Sequence, residues 1–203
     1  VVDSVSGLAA ERLETDAWGL DVVLTGSQKG LMNAPGLAFA AVSERTWKVV
    51  ENAKLPRFYF DWRAMRKSLK DKETPYTPGV TLVAGQAEAL KMIRKEGIEN
   101  VWRRTADLAA YTRAWAARQG LSLYAKDPAN ILTALNMPAG LDGAALIAEI
   151  LKEEGISIAG GQLHLKGKII RIAHMGYISK ADLDAGFAAL SARLTKAGAA
   201  AKA

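Results

Sequence analysis

Residues 1–43 read VVDSVSGLAAERLETDAWGLDVVLTGSQKGLMNAPGLAFAAVS, and the punctuation inside this stretch organises the rest of the chain. Val22–Thr25 is a short apolar run of the kind a buried strand needs, and it ends in the turn Gly26-Ser27-Gln28-Lys29-Gly30. A second apolar run, Leu37–Val42, follows the breaker pair Pro35-Gly36. Ser43 then stands where an N-cap belongs, ahead of a helical segment Glu44–Asn52. Strand, turn, strand, helix is the grammar of an α/β fold. The chain opens on Val1-Val2-Asp3, as if inside a strand, with neither an initiator methionine nor a signal-peptide pattern. A fragment or a processed product is expected.

Outward from this stretch, residues 53–79 read as a long connection, rich in aromatic and charged residues and broken by Pro56, Pro75 and Pro78. A helix is expected from about Gln86 to Glu96, stopping at Gly97, and a longer one from Glu99 to Gln119, stopping at Gly120. In the second, Val101, Leu108, Tyr111 and Trp115 recur at helical spacing and form a core stripe. After Gly120 the texture becomes that of a small α+β unit. Strands are expected at Leu121–Ala125, Ile131–Leu135, Ile156–Ala159 and Lys168–Ala173, and helices at Asp142–Glu154 and Lys180–Lys196. The last helix begins with Ser179 and Asp182 at capping-box spacing and carries Leu183, Phe187, Leu190 and Leu194 on one face. The small-residue tail from Gly198 is expected to fray.

Half of the 203 residues are hydrophobic and 24% charged, the balance of a folded globular chain. No apolar run is long enough to span a membrane. The absence of cysteine excludes disulfides, thiolate catalysis and cysteine-ligated metals, and fits a reducing cytoplasm. The net charge of +6 raises the question of nucleic acid. The basic residues are scattered, with no basic block interleaved with aromatics, so a solvated basic surface is the better account.

From spacing alone, the strongest chemical feature is a lysine in a glycine-flanked turn directly after a buried strand. Apolar walls beside such a lysine favour its neutral, nucleophilic amine, although a surface loop lysine has the same pattern. The turn is not a Walker A loop, because the glycine spacing and the trailing Lys-Ser/Thr are missing. The blocks around it are more telling. Residues 1–43, together with "YFDW", "TPYTPGVTLVAG", "EGIENVWRR" and "ISIAGGQLHLKGKIIRIAHMGY", occur in an order that resembles class V aminotransferases. The resemblance is to the alanine–glyoxylate and serine–glyoxylate (serine–pyruvate) group, and it covers nearly the whole chain.

That resemblance implies a type I pyridoxal-phosphate-dependent transferase fold. Residues 1–96 would be the C-terminal part of the large α/β domain and residues 97–203 the small C-terminal α+β domain. It implies a transaminase moving an amino group from alanine or serine to glyoxylate or pyruvate, with pyridoxal 5'-phosphate carried on Lys29. Lys29 would also move the substrate's proton, and Asp3, 26 residues earlier, would pair with the pyridine nitrogen. Val5 would pack on the ring face, and Ser27 and Gln28 would hydrogen-bond the phosphate. Thr77 would reach the phosphate of the neighbouring subunit in a homodimer, and is otherwise an ordinary turn hydroxyl. An N-terminal segment carrying a ring-stacking aromatic and a phosphate-binding turn would precede the chain.

Arg171 lies on an expected strand among Ile169, Ile170 and Ile172, where an arginine is costly without a counter-anion. A substrate carboxylate, held bidentately, would supply one, as the resemblance implies; a structural acid is the alternative. His164 and His174 have no metal-binding spacing, and a structural histidine is the better account of His174. The tryptophans at 18, 47, 62, 102 and 115 read as core or interface. Cysteine desulfuration is disfavoured, because its persulfide chemistry needs a cysteine and the chain has none. A lyase on the same fold, or a non-catalytic subunit that kept it, are the alternatives.

Overall fold

The two apolar runs pair side by side in the computed structural model, which describes residues 1–200. β1 (Val2–Asp3) lies parallel to β2 (Val22–Gly26), and β2 pairs antiparallel with β3 (Ala38–Val42), in the order β1-β2-β3. β2 is the central strand and the buried one, while β3 is exposed along most of its length. Asp21, just ahead of β2, accepts hydrogen bonds from Arg45 Nε (2.8 Å) and Ser43 Oγ (3.1 Å). The bond from Arg45 leads in lowering its pKa. These bonds join the start of β2 to the start of α1 (Glu44–Asn52), where Ser43 caps the amide of Thr46 as its sequence position predicts.

The connection 53–79 contains a helix that its prolines disguise. α2 (Trp62–Lys70) is capped by Asp61, whose carboxyl is held down at about 2 chiefly by its hydrogen bond to Arg63. The prolines at 56, 75 and 78 frame this helix and do not interrupt it. α3 (Val80–Glu96) starts a turn and a half before the expected Gln86 and closes at Gly97, whose φ of 87° suits glycine. Trp18, read as core or interface, is exposed.

By contact the chain falls into two units, Val1–Ile98 and the residues from Glu99 onward. α4 (Ile98–Arg118) buries Val101, Leu108 and Trp115 as the spacing predicts, and Tyr111 flanks them. Thr105 and Thr112 share that buried face, each giving its hydroxyl proton to the carbonyl four residues back, Val101 and Leu108, at 2.9 Å. A second sheet has β6 (Ile169–Ala173) at its centre, antiparallel to β4 (Leu132–Asn136) on one side and β5 (Ala159–Gly160) on the other. α5 (Gly143–Glu154) and α6 (Lys180–Ala200) complete this unit.

Leu135, Ile150, Ile170 and Leu190 are fully enclosed, and Trp115 stacks on Phe187 with ring centroids 4.3 Å apart. Asp182 closes the capping box by accepting from the Ser179 amide at 2.8 Å. Two expected strands shrink: Leu121–Ala125 keeps one bridge, Leu123 to Leu135, and Ile156–Ala159 pairs only from Ala159. Ile156 and Ile158 still pack on the core, so burial and not pairing explains their apolar character. α6 continues through Gly198 to Ala200, beyond the expected point of fraying, and residues 201–203 lie outside the described range.

His174 is wholly enclosed. Its Nδ1 lies 2.9 Å from the Asn130 carbonyl, which can only accept, so Nδ1 carries the proton; Nε2 is buried without a partner. Burial lowers its pKa below 6.5, and the nearby Arg113 adds to this. The unfolded chain therefore takes up the proton more readily than the folded one. The His174 contribution to stability should be independent of pH well above 6.5 and decline as the pH falls from there towards the folded-state pKa. Melting temperature against pH should show this decline in the native protein and a flatter profile in His174→Gln. Equal slopes would mean that His174 does not set the acid limb.

Candidate active site

Asp3 ends β1 and Gly26 ends β2, and the strands run parallel with Asp3 opposite Leu24. The Lys29 turn and Asp3 therefore emerge at the same, carboxyl, end of one sheet, where ligands of open α/β sheets bind. Asp3 accepts a hydrogen bond from the Val5 amide through Oδ1 at 2.9 Å, which fixes the carboxylate and leaves Oδ2 without a partner among the described residues. Val5 is half-buried beside it.

The segment from Ser27 to Ala34 is closed upon itself. The Ser27 amide donates to Leu37 O and the Asn33 amide to Ser27 O, both at 3.0 Å, and the Met32 amide donates to Lys29 O at 3.0 Å. Ser27, expected to reach a phosphate, is fully enclosed. Its hydroxyl gives its only proton to Ala34 O at 2.6 Å and accepts from the Leu37 amide at 3.2 Å. In this structure it ties the base of the loop together and has no proton for a phosphate. Gln28 is exposed, with its carboxamide folded over Gly26.

Lys29 is half-buried, and among the described residues no carboxylate pairs with it. Thr77 is exposed on the segment that leads into α3. Two residues that the sequence did not single out anchor the loop to α3: Asn33 Nδ2 donates to Leu82 O at 2.8 Å, and Gln86 Nε2 to Leu31 O at 3.1 Å. A glutamine heading an apolar helical stripe was the available signal.

Arg171 belongs to the second unit, on the central strand β6, opposite Ala134 and Ala159. Its Nε donates to Gly160 O at 2.8 Å, and no acidic side chain among the described residues pairs with it. It lines a cleft of about 450 Å³ walled by Ile156, Ile158, Ile172 and Phe187. Asp182 also faces this cleft, but its carboxylate is engaged by Ser179. His164 is exposed on a short 3-10 turn, and no cluster of His, Asp or Glu that could hold a metal occurs among the described residues.

The family model described as aminotransferase class-V matches residues 1–185. The chain belongs to the class V aminotransferase family. A relative from Synechococcus named soluble hydrogenase, small subunit, is 41% identical over 98% of this chain and 52% of its own length. A serine–glyoxylate aminotransferase of Methylorubrum extorquens is 36% identical over 90% of this chain and 47% of its own. Among solved structures, an alanine–glyoxylate aminotransferase from Nostoc superposes with a TM-score of 0.89 at 30% identity, over 96% of this chain and 53% of that one. The chain thus spans about half the length of the curated relatives it matches. The fold is the type I pyridoxal-phosphate-dependent transferase fold, and pyridoxal phosphate is the cofactor of this family.

The clamp on the lysine turn generates a prediction. A Cβ on Gly30 would lie 2.2 Å from the carbonyl oxygen of Leu8, in the turn that follows Asp3. Backbone on both sides leaves nothing flexible to yield. Gly30→Ala should cost about 1–3 kcal/mol and push the lysine turn away from the Asp3 segment. Urea unfolding measures the first effect and cofactor affinity the second. A variant unchanged in both would mean that the turn is not seated against residues 8–10.

Proposed function

We propose that this chain carries the catalytic lysine of a pyridoxal-phosphate-dependent aminotransferase that moves an amino group from alanine or serine to glyoxylate or pyruvate. The observation that carries the proposal is the juxtaposition of Asp3 and the Lys29 turn at the carboxyl end of two parallel strands. The cofactor fits this end of the sheet: among the described residues one oxygen of Asp3 has no partner, and no carboxylate pairs with Lys29 in its braced turn. When bound, pyridoxal phosphate supplies a sink for the electron pair left at the substrate's Cα.

The protein's own residues do the rest. Asp3 holds a proton on the pyridine nitrogen through the oxygen that Val5 leaves free, and Val5 backs the ring. Lys29 holds the cofactor covalently and, once released, carries the proton from the substrate's Cα. Gln28 and the amides of its turn hold the phosphate, with Ser27 bracing them. Arg171 grips the substrate carboxylate with the guanidinium nitrogens that Gly160 does not occupy. Residues 1–96 serve as the cofactor-binding domain and 97–203 as the small domain. The complete enzyme is a homodimer that also contains an N-terminal segment, and Thr77 serves the phosphate of its partner.

Visible absorption and amino-transfer kinetics test the proposal together. Lys29→Ala should lose the lysine-dependent absorption band and all multiple turnover while keeping its melting temperature. Arg171→Lys should keep the band, yet kcat/KM for every amino donor should drop on the order of 10²-fold, because lysine lacks the planar two-point grip that orients the substrate. A native band in Lys29→Ala, or an unchanged kcat/KM in Arg171→Lys, would remove the respective assignment.

A further inference from the structure

The buried residues of α3 are Gln86, Ala89 and Ile93, one stripe along the helix. A carboxamide at the head of such a stripe, only 4% exposed, costs free energy unless it is hydrogen-bonded. Gln86 meets that condition by half: Nε2 donates to Leu31 O at 3.1 Å, while Oε1 is buried without a partner. A leucine would fill the stripe without an orphaned oxygen, so packing alone does not explain the residue. Its one bond lands two residues after Lys29. Leu31 is itself buried, and among the described residues Gln86 is the only partner of its carbonyl.

One turn earlier on α3, Leu82 O accepts from Asn33 at 2.8 Å, and Gly85 leaves room for that contact, since a Cβ there would stand 3.0 Å from Asn33 Oδ1. Between the two fastenings lies Met32 at φ 58°, a left-handed conformation that a residue with a side chain adopts only when its surroundings enforce it. The opposite side of the turn is pressed against Leu8 through Gly30.

We propose that Gln86 is a positioning residue for Lys29, an inference that rests on the aminotransferase reading above. By holding Leu31 O, it fixes the backbone that runs from Lys29 through the left-handed Met32 to Asn33, and so fixes where the lysine amine stands relative to Asp3. Without the donor, a buried carbonyl is left unpaired and the peptide turns to find a partner. The lysine backbone moves with it, and proton transfer by Lys29 tolerates such displacement poorly.

The test uses the holoprotein and Gln86→Met. Methionine has similar length, has no donor and suits the apolar stripe, so the helix and core persist. Amide hydrogen exchange at Met32 and Asn33 should accelerate about tenfold or more, because both amides close the loop that Gln86 anchors. The kcat should fall about tenfold with KM within about twofold, and the pH at which the lysine–cofactor band changes colour should shift. Gln86→Asn, one methylene too short to reach Leu31, should behave like Gln86→Met. Unchanged exchange at Met32 and Asn33 with an unchanged kcat and band midpoint would reduce Gln86 to a core filler and overturn the proposal. A band that persists in Lys29→Ala would overturn the aminotransferase reading, and the proposal with it, whatever Gln86 does to amide exchange.

Discussion

Two residues of parallel pairing, Val2 beside Val23 and Asp3 beside Leu24, are the constraint on which the rest of the first unit depends. Parallel pairing sends both strands out of the sheet at the same end, so a carboxylate and a lysine that lie far apart in sequence face one region. The pairing alone would not place the lysine, because it lies three positions beyond the end of β2. The loop does that. Ser27 closes its base, Gly30 lets it sit against the turn after Asp3, and Asn33 and Gln86 fasten its far side to α3. Each contact is a single hydrogen bond or close approach, individually worth about 1 kcal/mol, yet together they remove the freedom of a segment that would otherwise be mobile.

The second unit solves a different problem. Its core is assembled from α4, α5, α6 and the β4-β6-β5 sheet, with the Trp115–Phe187 stack and the enclosed Leu135, Ile150 and Ile170 at its centre. The middle strand of that sheet carries Arg171, so the backbone of the arginine is paired on both sides and its guanidinium starts from a fixed base. Arg193, whose side chain is largely buried, pairs with Glu149 and Glu153 and so links α6 to α5.

Much of this was legible in the residues. Ser43 fixed the start of α1, the Ser179–Asp182 pair the start of α6, and the leucine and phenylalanine spacing the face that α6 buries. Short strands were less legible. Pairing needs a partner in register, and an apolar tetrad such as Ile156–Ala159 can be buried without one. α2 was obscured because prolines mark the edges of a segment as readily as its interior. At the candidate site, Asp3, Lys29 and Arg171 stood out through the family resemblance, since a loop lysine, a strand-end aspartate and a strand arginine are ordinary residues by spacing alone. The bracing roles of the Ser27 hydroxyl and the Gln86 carboxamide did not stand out, because a side chain bonded to a loop carbonyl has no periodicity to betray it.

Every role proposed for the first unit depends on Lys29 being the residue that binds the cofactor covalently. Borohydride reduction of the protein with pyridoxal phosphate, followed by proteolysis and mass spectrometry, reads this directly. The pyridoxyl group should appear on the peptide that contains Lys29, in a ratio of about one per chain and at no other lysine. A modification found on a different lysine, or spread over many, would contradict it.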